Sequence, residues 1–100
     1  MSAVEWTPRA EIELEEIALH IWLRGNGPKV AREIVTAIRD KAEQYGRQPE
    51  LGTRHEAVPD DVRLFRHIRF VVAYQIRDGG ITVLRVVDGV RDFGLLFRDL

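Results

Sequence analysis

The fold is decided by one stretch, Phe70-Val71-Val72-Ala73-Tyr74-Gln75-Ile76-Arg77-Asp78-Gly79-Gly80-Ile81-Thr82-Val83-Leu84-Arg85-Val86-Val87. β-Branched and aromatic residues fill Phe70 to Ile76 and again Ile81 to Val87, and Asp78-Gly79-Gly80 between them reads as a tight hairpin turn. Alternation in Val62 to His67, just upstream, adds a third strand and completes an antiparallel meander. Both alternating sets of the last two strands are largely apolar. Phe70, Val72, Tyr74 and Ile76 oppose Val71 and Ala73, while Ile81, Val83 and Val87 oppose Leu84 and Val86. A sheet that is apolar on both sides must be covered on both, by the chain itself or by a partner.

Upstream lies material to cover one of those sides. Ala10, Leu14, Ile17, Ala18, Ile21 and Trp22 recur at helical spacing, behind a Thr7-Pro8 pair suited to an N-cap and a first helical residue. The first helix is expected from about Pro8 to Arg24. Gly25-Asn26-Gly27 breaks it, and Pro28 opens a second helix with the stripe Ala31, Ile34, Val35, Ile38, Ala42 and Tyr45, ended by Gly46 as a C-terminal cap. So short a connection makes an antiparallel two-helix hairpin. Ala3 to Trp6 is a short N-terminal strand that joins a sheet edge or dangles. Gly46 to Asp60 is a long loop from which Leu51 is expected to reach the core. The expected fold class is α+β: N-terminal strand, helix hairpin, three-stranded antiparallel meander, within a single domain of residues 1–100.

Composition narrows the chemistry. Apolar residues make up 45% and charged residues 31% of 100 residues, as in a folded globular chain, and no run is long enough to span a bilayer. A cytoplasmic location with no membrane partner is expected, since the opening residues lack the basic and apolar regions of a signal peptide. There is no cysteine, hence no disulfide and no thiolate nucleophile. His20, His55 and His67 fall in separate regions without metal-ligand spacing, so no metal site is expected. The one serine, Ser2, stands at the N-terminus and supports no hydrolase triad. Gly25-Asn26-Gly27-Pro28 matches neither phosphate-loop pattern, and no cofactor is expected.

What remains is charge. The net value of −1 conceals Glu11, Glu13, Glu15 and Glu16 on the first helix against Arg63, Arg66, Arg69, Arg77, Arg85, Arg91 and Arg98 downstream. Arginines on strands, with Tyr74, His67 and Glu56 within reach, would either stabilise phosphate charge during RNA cleavage or dock an acidic partner without chemistry. The residues alone favour neither. Plainer roles stand beside these: an exposed edge residue for His67, and for Arg85 a structural ion pair with Asp88 or Asp92.

Two strings carry a resemblance. Val4-Glu5-Trp6-Thr7-Pro8-Arg9-Ala10 followed by Leu14-Glu15-Glu16-Ile17 looks like the start of ParE-type toxins. Phe70 to Ile76 with Ile81-Thr82-Val83-Leu84-Arg85-Val86-Val87-Asp88-Gly89-Val90-Arg91-Asp92 resembles the paired strands of the ParE/RelE toxin superfamily, including the Gly-x-Arg-Asp ending. Asp88 departs from the pattern, where many members have a histidine. The resemblance covers nearly the whole chain and implies the toxin of a type II toxin–antitoxin system, bound by a cognate antitoxin in a toxin–antitoxin hetero-oligomer. It implies either of two activities: inhibition of DNA gyrase by binding, as in ParE-like members, or cleavage of messenger RNA on the ribosome, as in RelE-like members. After the last strand stand Phe93 and Phe97, neither able to carry a proton, which favours gyrase and no catalytic residues. The partner-binding set is then Arg66, Tyr74, Arg85, Arg91, Asp92 and Phe93. An endonuclease would have to draw on Glu56, Arg66, His67 and Arg85. A third reading is a non-toxic member that only binds its antitoxin.

Overall fold

A computed structural model describes residues 3–94, Arg98 and Leu100. In chain order they form β1 (Val4–Trp6), α1 (Pro8–Ile21), a π-helical turn (Trp22–Asn26), α2 (Gly27–Arg47), a 3₁₀ turn (Pro49–Leu51), β2 (Val62–His67), β3 (Phe70–Arg77) and β4 (Gly80–Asp88). The class is α+β, and the sheet has four strands in the order β1-β4-β3-β2.

α1 starts where Thr7 accepts a hydrogen bond from the Ala10 N–H at 3.1 Å, with Pro8 filling a position whose N–H would be unpaired anyway. The chain turns back at Gly25, whose φ of 87° suits a residue without a Cβ. α2 then runs back along α1, and the Arg39 guanidinium grips both oxygens of Glu11 at 2.9 Å. Leu14 and Ile21 of α1 and Ala31, Ile38 and Ala42 of α2 are buried against Phe65, Phe70, Val72, Tyr74, Ile81, Val83 and Val86. Tyr45 stacks on Phe65 with ring centroids 4.5 Å apart.

Several details differ from the sequence reading. The linker is a π-helical turn rather than an open break, and Trp22, at the margin of the inner stripe, is 54% exposed. Gly46 does not cap α2, which continues to Arg47. It is a packing glycine, since a Cβ there would lie 3.0 Å from Ala3 and Val4. Leu51 is exposed rather than tucked in. The sheet is mixed, because β1 joins it in parallel beside β4, with Val4 opposite Ile81. That pairing brings Ala3 so close to Gly80 that a Cβ would stand 1.9 Å from the Ala3 carbonyl oxygen, which only glycine tolerates.

The alternation of β4 is also broken. Tyr74 pairs with Val83 and Ala73 with Arg85, leaving Leu84 as the extra residue of a β-bulge. Ile81, Val83 and Val86 therefore face the helices, whereas Leu84 and Val87 fall on the other side. That second face is a smaller core of Val58, Val62, Leu64, Val71, Ala73 and Val87, with Leu84, Phe93 and Leu100 against it. The chain's own loop and C-terminal region supply part of its cover. The β2 edge is blunted too, as Thr53 exchanges two backbone hydrogen bonds of 2.8 Å with Leu64 and Lys41 Nζ donates to the Arg66 carbonyl at 2.7 Å.

Candidate partner-binding cleft

α1 lies along the part of β4 that β1 does not reach. β1 pairs only with Ile81 to Val83, so the outer edge of β4 beyond them needs other partners. Thr7 Oγ1 donates to the Leu84 carbonyl at 3.2 Å, and Glu13 Oε1 accepts the Val86 N–H at 2.9 Å. The same Glu13 carboxylate takes Arg85 Nε at 3.0 Å and Nη2 at 2.8 Å. Arg85 is 6% exposed. Its cross-strand neighbour Ala73 belongs to the second face, so the guanidinium reaches around the sheet edge to a helix of the first. The ion pair foreseen for Arg85 is present, but its partner is Glu13, 72 residues away, and not Asp88 or Asp92.

Past this lock the hairpin and the sheet diverge around an open cleft of about 820 Å³. Its apolar lining comes from Ile17, Ile21, Val30 and Ile34 on the helical side and Ile68, Phe70 and Val86 on the sheet side. Around these stand Glu16, His20, Arg24, Arg69, Asp88, Arg91 and Asp92. Ile68, in the turn between β2 and β3, has φ of 56° and is 65% exposed. A β-branched residue pays for that left-handed conformation, and an apolar one pays again for exposure. Asp88 orders the sheet end of the cleft. Its Oδ1 accepts from Arg69 Nε at 3.0 Å and from the N–H groups of Val90 and Arg91 at 2.9 and 3.3 Å, and Arg69 Nη2 lies 2.8 Å from Oδ2. Burial pushes the Asp88 carboxyl up, but the bonds from Arg69, Val90 and Arg91 outweigh it and hold the pKa below its ordinary value.

The sequence-predicted residues divide. Arg91 and Asp92 line the cleft, their side chains 4.0 Å apart. Phe93 packs on the second face, edge-on to His55 at 6.0 Å between ring centroids. Tyr74 is fully buried, its hydroxyl donating to the Pro49 carbonyl at 2.6 Å and accepting the Gly52 N–H at 3.0 Å. Burial raises its pKa most, so the hydroxyl stays protonated as a loop anchor. In this arrangement Tyr74 and Arg85 offer a partner almost no surface. Arg66 is exposed on β2, separated from β4 by β3, and Phe97 lies outside the described residues.

The alternative catalytic set is not brought together around one free cation. Arg66 and His67 lie on the outer strand β2, Glu56 is exposed in the loop before it, and Arg85 is held by Glu13 two strands away. The His67 pKa is lowered, first by burial and then by the nearby Lys41 ammonium. Sequence reasoning missed Glu13, Ile68 and Arg69. Glu13 looked like one more solvated helix acid, and its pairing with Arg85, 72 residues away, is set by the fold. The signal for Ile68 was its place in the two-residue gap between strands, where a β-branched residue is out of character.

Comparison with known proteins agrees with this architecture. The sequence model of the family described as the ParE toxin of the type II toxin–antitoxin system parDE matches residues 4–93. A solved chain of the chromosomal ParDE TA system from P. aeruginosa is similar in fold, with TM-score 0.72 and 21% identity over 88% of this chain and 96% of that chain. No curated protein matches the sequence. The chain thus belongs to the ParE toxin family of type II toxin–antitoxin systems. Among the described residues no helix is long and apolar enough to cross a membrane.

Proposed function

We propose that the protein arrests growth by binding DNA gyrase, without chemistry of its own, and that its cognate antitoxin seats in the cleft between the helix hairpin and the ends of β3 and β4. Gyrase as the target rests on membership of the ParE family, and the observation that carries the absence of chemistry is the Glu13–Arg85 lock. A guanidinium whose Nε and Nη2 are spent on a carboxylate has little left for a scissile phosphate, and freeing it leaves a buried charge. Phe93 supplies no proton. The cleft supports the second half. It combines an apolar floor with charged groups of both signs, and Ile68 stands on its rim in a conformation that a covering partner would compensate.

Purified toxin assayed side by side should inhibit gyrase supercoiling and leave messenger RNA on translating ribosomes intact. Cleaved messenger RNA with normal supercoiling would sink the gyrase reading and install the endonuclease. Ile68→Asn, which tolerates the left-handed backbone, should leave the toxin folded and weaken antitoxin binding by about tenfold, the scale of one well-packed contact. Unchanged affinity would remove the antitoxin from this cleft.

A further inference from the structure

We infer that the outer face of α1 is the surface by which this toxin engages its target, laying Leu19, Trp22 and Leu23 into an apolar groove on a protein whose end nearest the hairpin tip is acidic. The inference rests on the reading of the chain as a toxin that acts by binding, and adds to it the contact surface and the chemistry of its counterpart. α1 has two apolar sides. The inner one faces the sheet, while Ile12 and Leu19, with Trp22 and Leu23 of the π-helical turn that continues the helix, are 54%, 55%, 54% and 76% exposed. Ile12, Leu19 and Leu23 fall near one line down this side, exposed Glu16 stands in the same line between Ile12 and Leu19, and Trp22 flanks it. None of the four lines the cleft, so the antitoxin site leaves them bare.

The stripe is held stiffly from behind. Leu14 and Ile21 are buried beneath it, Glu11 is clamped by Arg39, and Glu13 is locked to Arg85, so the helix backbone that carries the stripe is fixed before docking. Exposed tryptophan with a neighbouring arginine is the composition that dominates binding energy at protein interfaces, and a helix presenting residues at this spacing fits a groove. Charge selects the class of partner. No Asp or Glu occurs from Ile17 to Arg32, and Arg24, Lys29 and Arg32 are exposed around the tip, whereas Glu15 and Glu16 are exposed one to two turns back. An anionic bilayer or a nucleic acid would attract the tip and repel those two acids. A protein groove with acids at one end and bases further along meets both.

The test uses the full chain as a triple variant, Leu19→Ser with Trp22→Ser and Leu23→Ser, and the more conservative Leu23→Ser alone should the triple variant fail to fold. Four readouts are taken: thermal melt, affinity for the cognate antitoxin, growth arrest on induction, and binding to gyrase holoenzyme. The folded variant should keep its antitoxin affinity within about twofold, lose growth arrest, and bind gyrase at least about tenfold more weakly. Arg24→Glu should slow association by about three- to tenfold and flatten its salt dependence. Wild-type potency in the folded variant overturns the inference, and so does loss of antitoxin binding, which would give the stripe to the antitoxin. Binding of wild type to vesicles of equal phosphatidylglycerol and phosphatidylcholine, or to duplex DNA, overturns it if the variant abolishes that binding. A wild-type dimer that the variant dissociates assigns the stripe to a second copy and overturns it as well. If wild type ignores gyrase while the variant still loses growth arrest, the gyrase reading fails and the stripe stands for another protein. If wild type arrests nothing, both fall.

Discussion

The two faces of one sheet are covered in different ways, and the difference separates what secondary structure can do from what tertiary contacts must do. The helix-facing side is closed by regular periodic stripes, with Leu14 1% and Ile38 0% exposed. The opposite side is closed by Val58 of an irregular loop, with Phe93 and Leu100 from beyond the last strand. A helix satisfies its own backbone and delivers a row of side chains, whereas a loop needs separate anchors. Here the anchors are the Tyr74 hydroxyl on Pro49 and Gly52, the Thr53–Leu64 bridge, and Arg63 Nη1 on the carbonyls of Glu50 and Gly52.

The lock that joins the two faces is the first place to break the comparison. Glu13→Ala leaves Arg85 buried without its carboxylate and frees the Val86 N–H, and should cost about 3 to 5 kcal/mol. Replacing both partners together, as Glu13→Leu with Arg85→Met, should restore much of that stability. A urea midpoint for Glu13→Ala close to wild type would mean the pair contributes no cohesion between the faces.

Next in size is the helical side itself. Ile38→Ala should cost about 2 to 5 kcal/mol, through lost transfer free energy and the cavity left behind. Tyr74→Phe should cost about 1 to 3 kcal/mol, because it strands the Pro49 carbonyl and the Gly52 N–H, and the loss should appear first as faster amide exchange at Gly52 and Thr53. Val58→Ala, removing two carbons from the loop-covered face, should cost about 1.5 kcal/mol. If Val58→Ala matched Ile38→Ala in denaturation experiments, the two faces would contribute equally and the contrast would fail.

Legibility in the sequence follows the same division. The helical stripes, the Gly25 reversal, the Asp78-Gly79-Gly80 turn and the three strands of the meander are local patterns, and local patterns can be read from spacing. The parallel docking of β1 could not be read, because three residues carry no preference for direction and the fit depends on Gly80 lying under Ala3. The bulge at Leu84 was hidden because both alternating sets of this strand are largely apolar, and without it Val83 and Val87 looked like members of one face. Arg85 was legible as a member of a structural ion pair but not as the partner of Glu13, since pairing across 72 residues is set by the fold. In the cleft, Arg91 and Asp92 were legible through the resemblance. Ile68 was overlooked because its importance lies in a backbone angle.

The smallest effect expected is one of pH, at the β2 end of the helix-covered side. His67 pairs across the sheet with Phe70 of the cleft floor, and both burial and the Lys41 ammonium disfavour its protonated form in the folded state. Its folded pKa therefore lies below the ordinary value of 6.5. Between that lowered value and 6.5 the unfolded chain binds more protons than the folded one, so stability rises with pH through this window and falls on acidification. Asp88 also acts in that direction, but its folded pKa is below an ordinary value of 3.8, so its contribution is complete above 3.8 and is lost as pH falls through the folded pKa. The two are separable by pH. His67→Gln should flatten the rise in melting temperature between about pH 5 and 7, around the usual histidine range, and leave the steeper acid limb below about pH 4 in place. Should the slope between pH 5 and 7 persist unchanged in the variant, His67 is not its source.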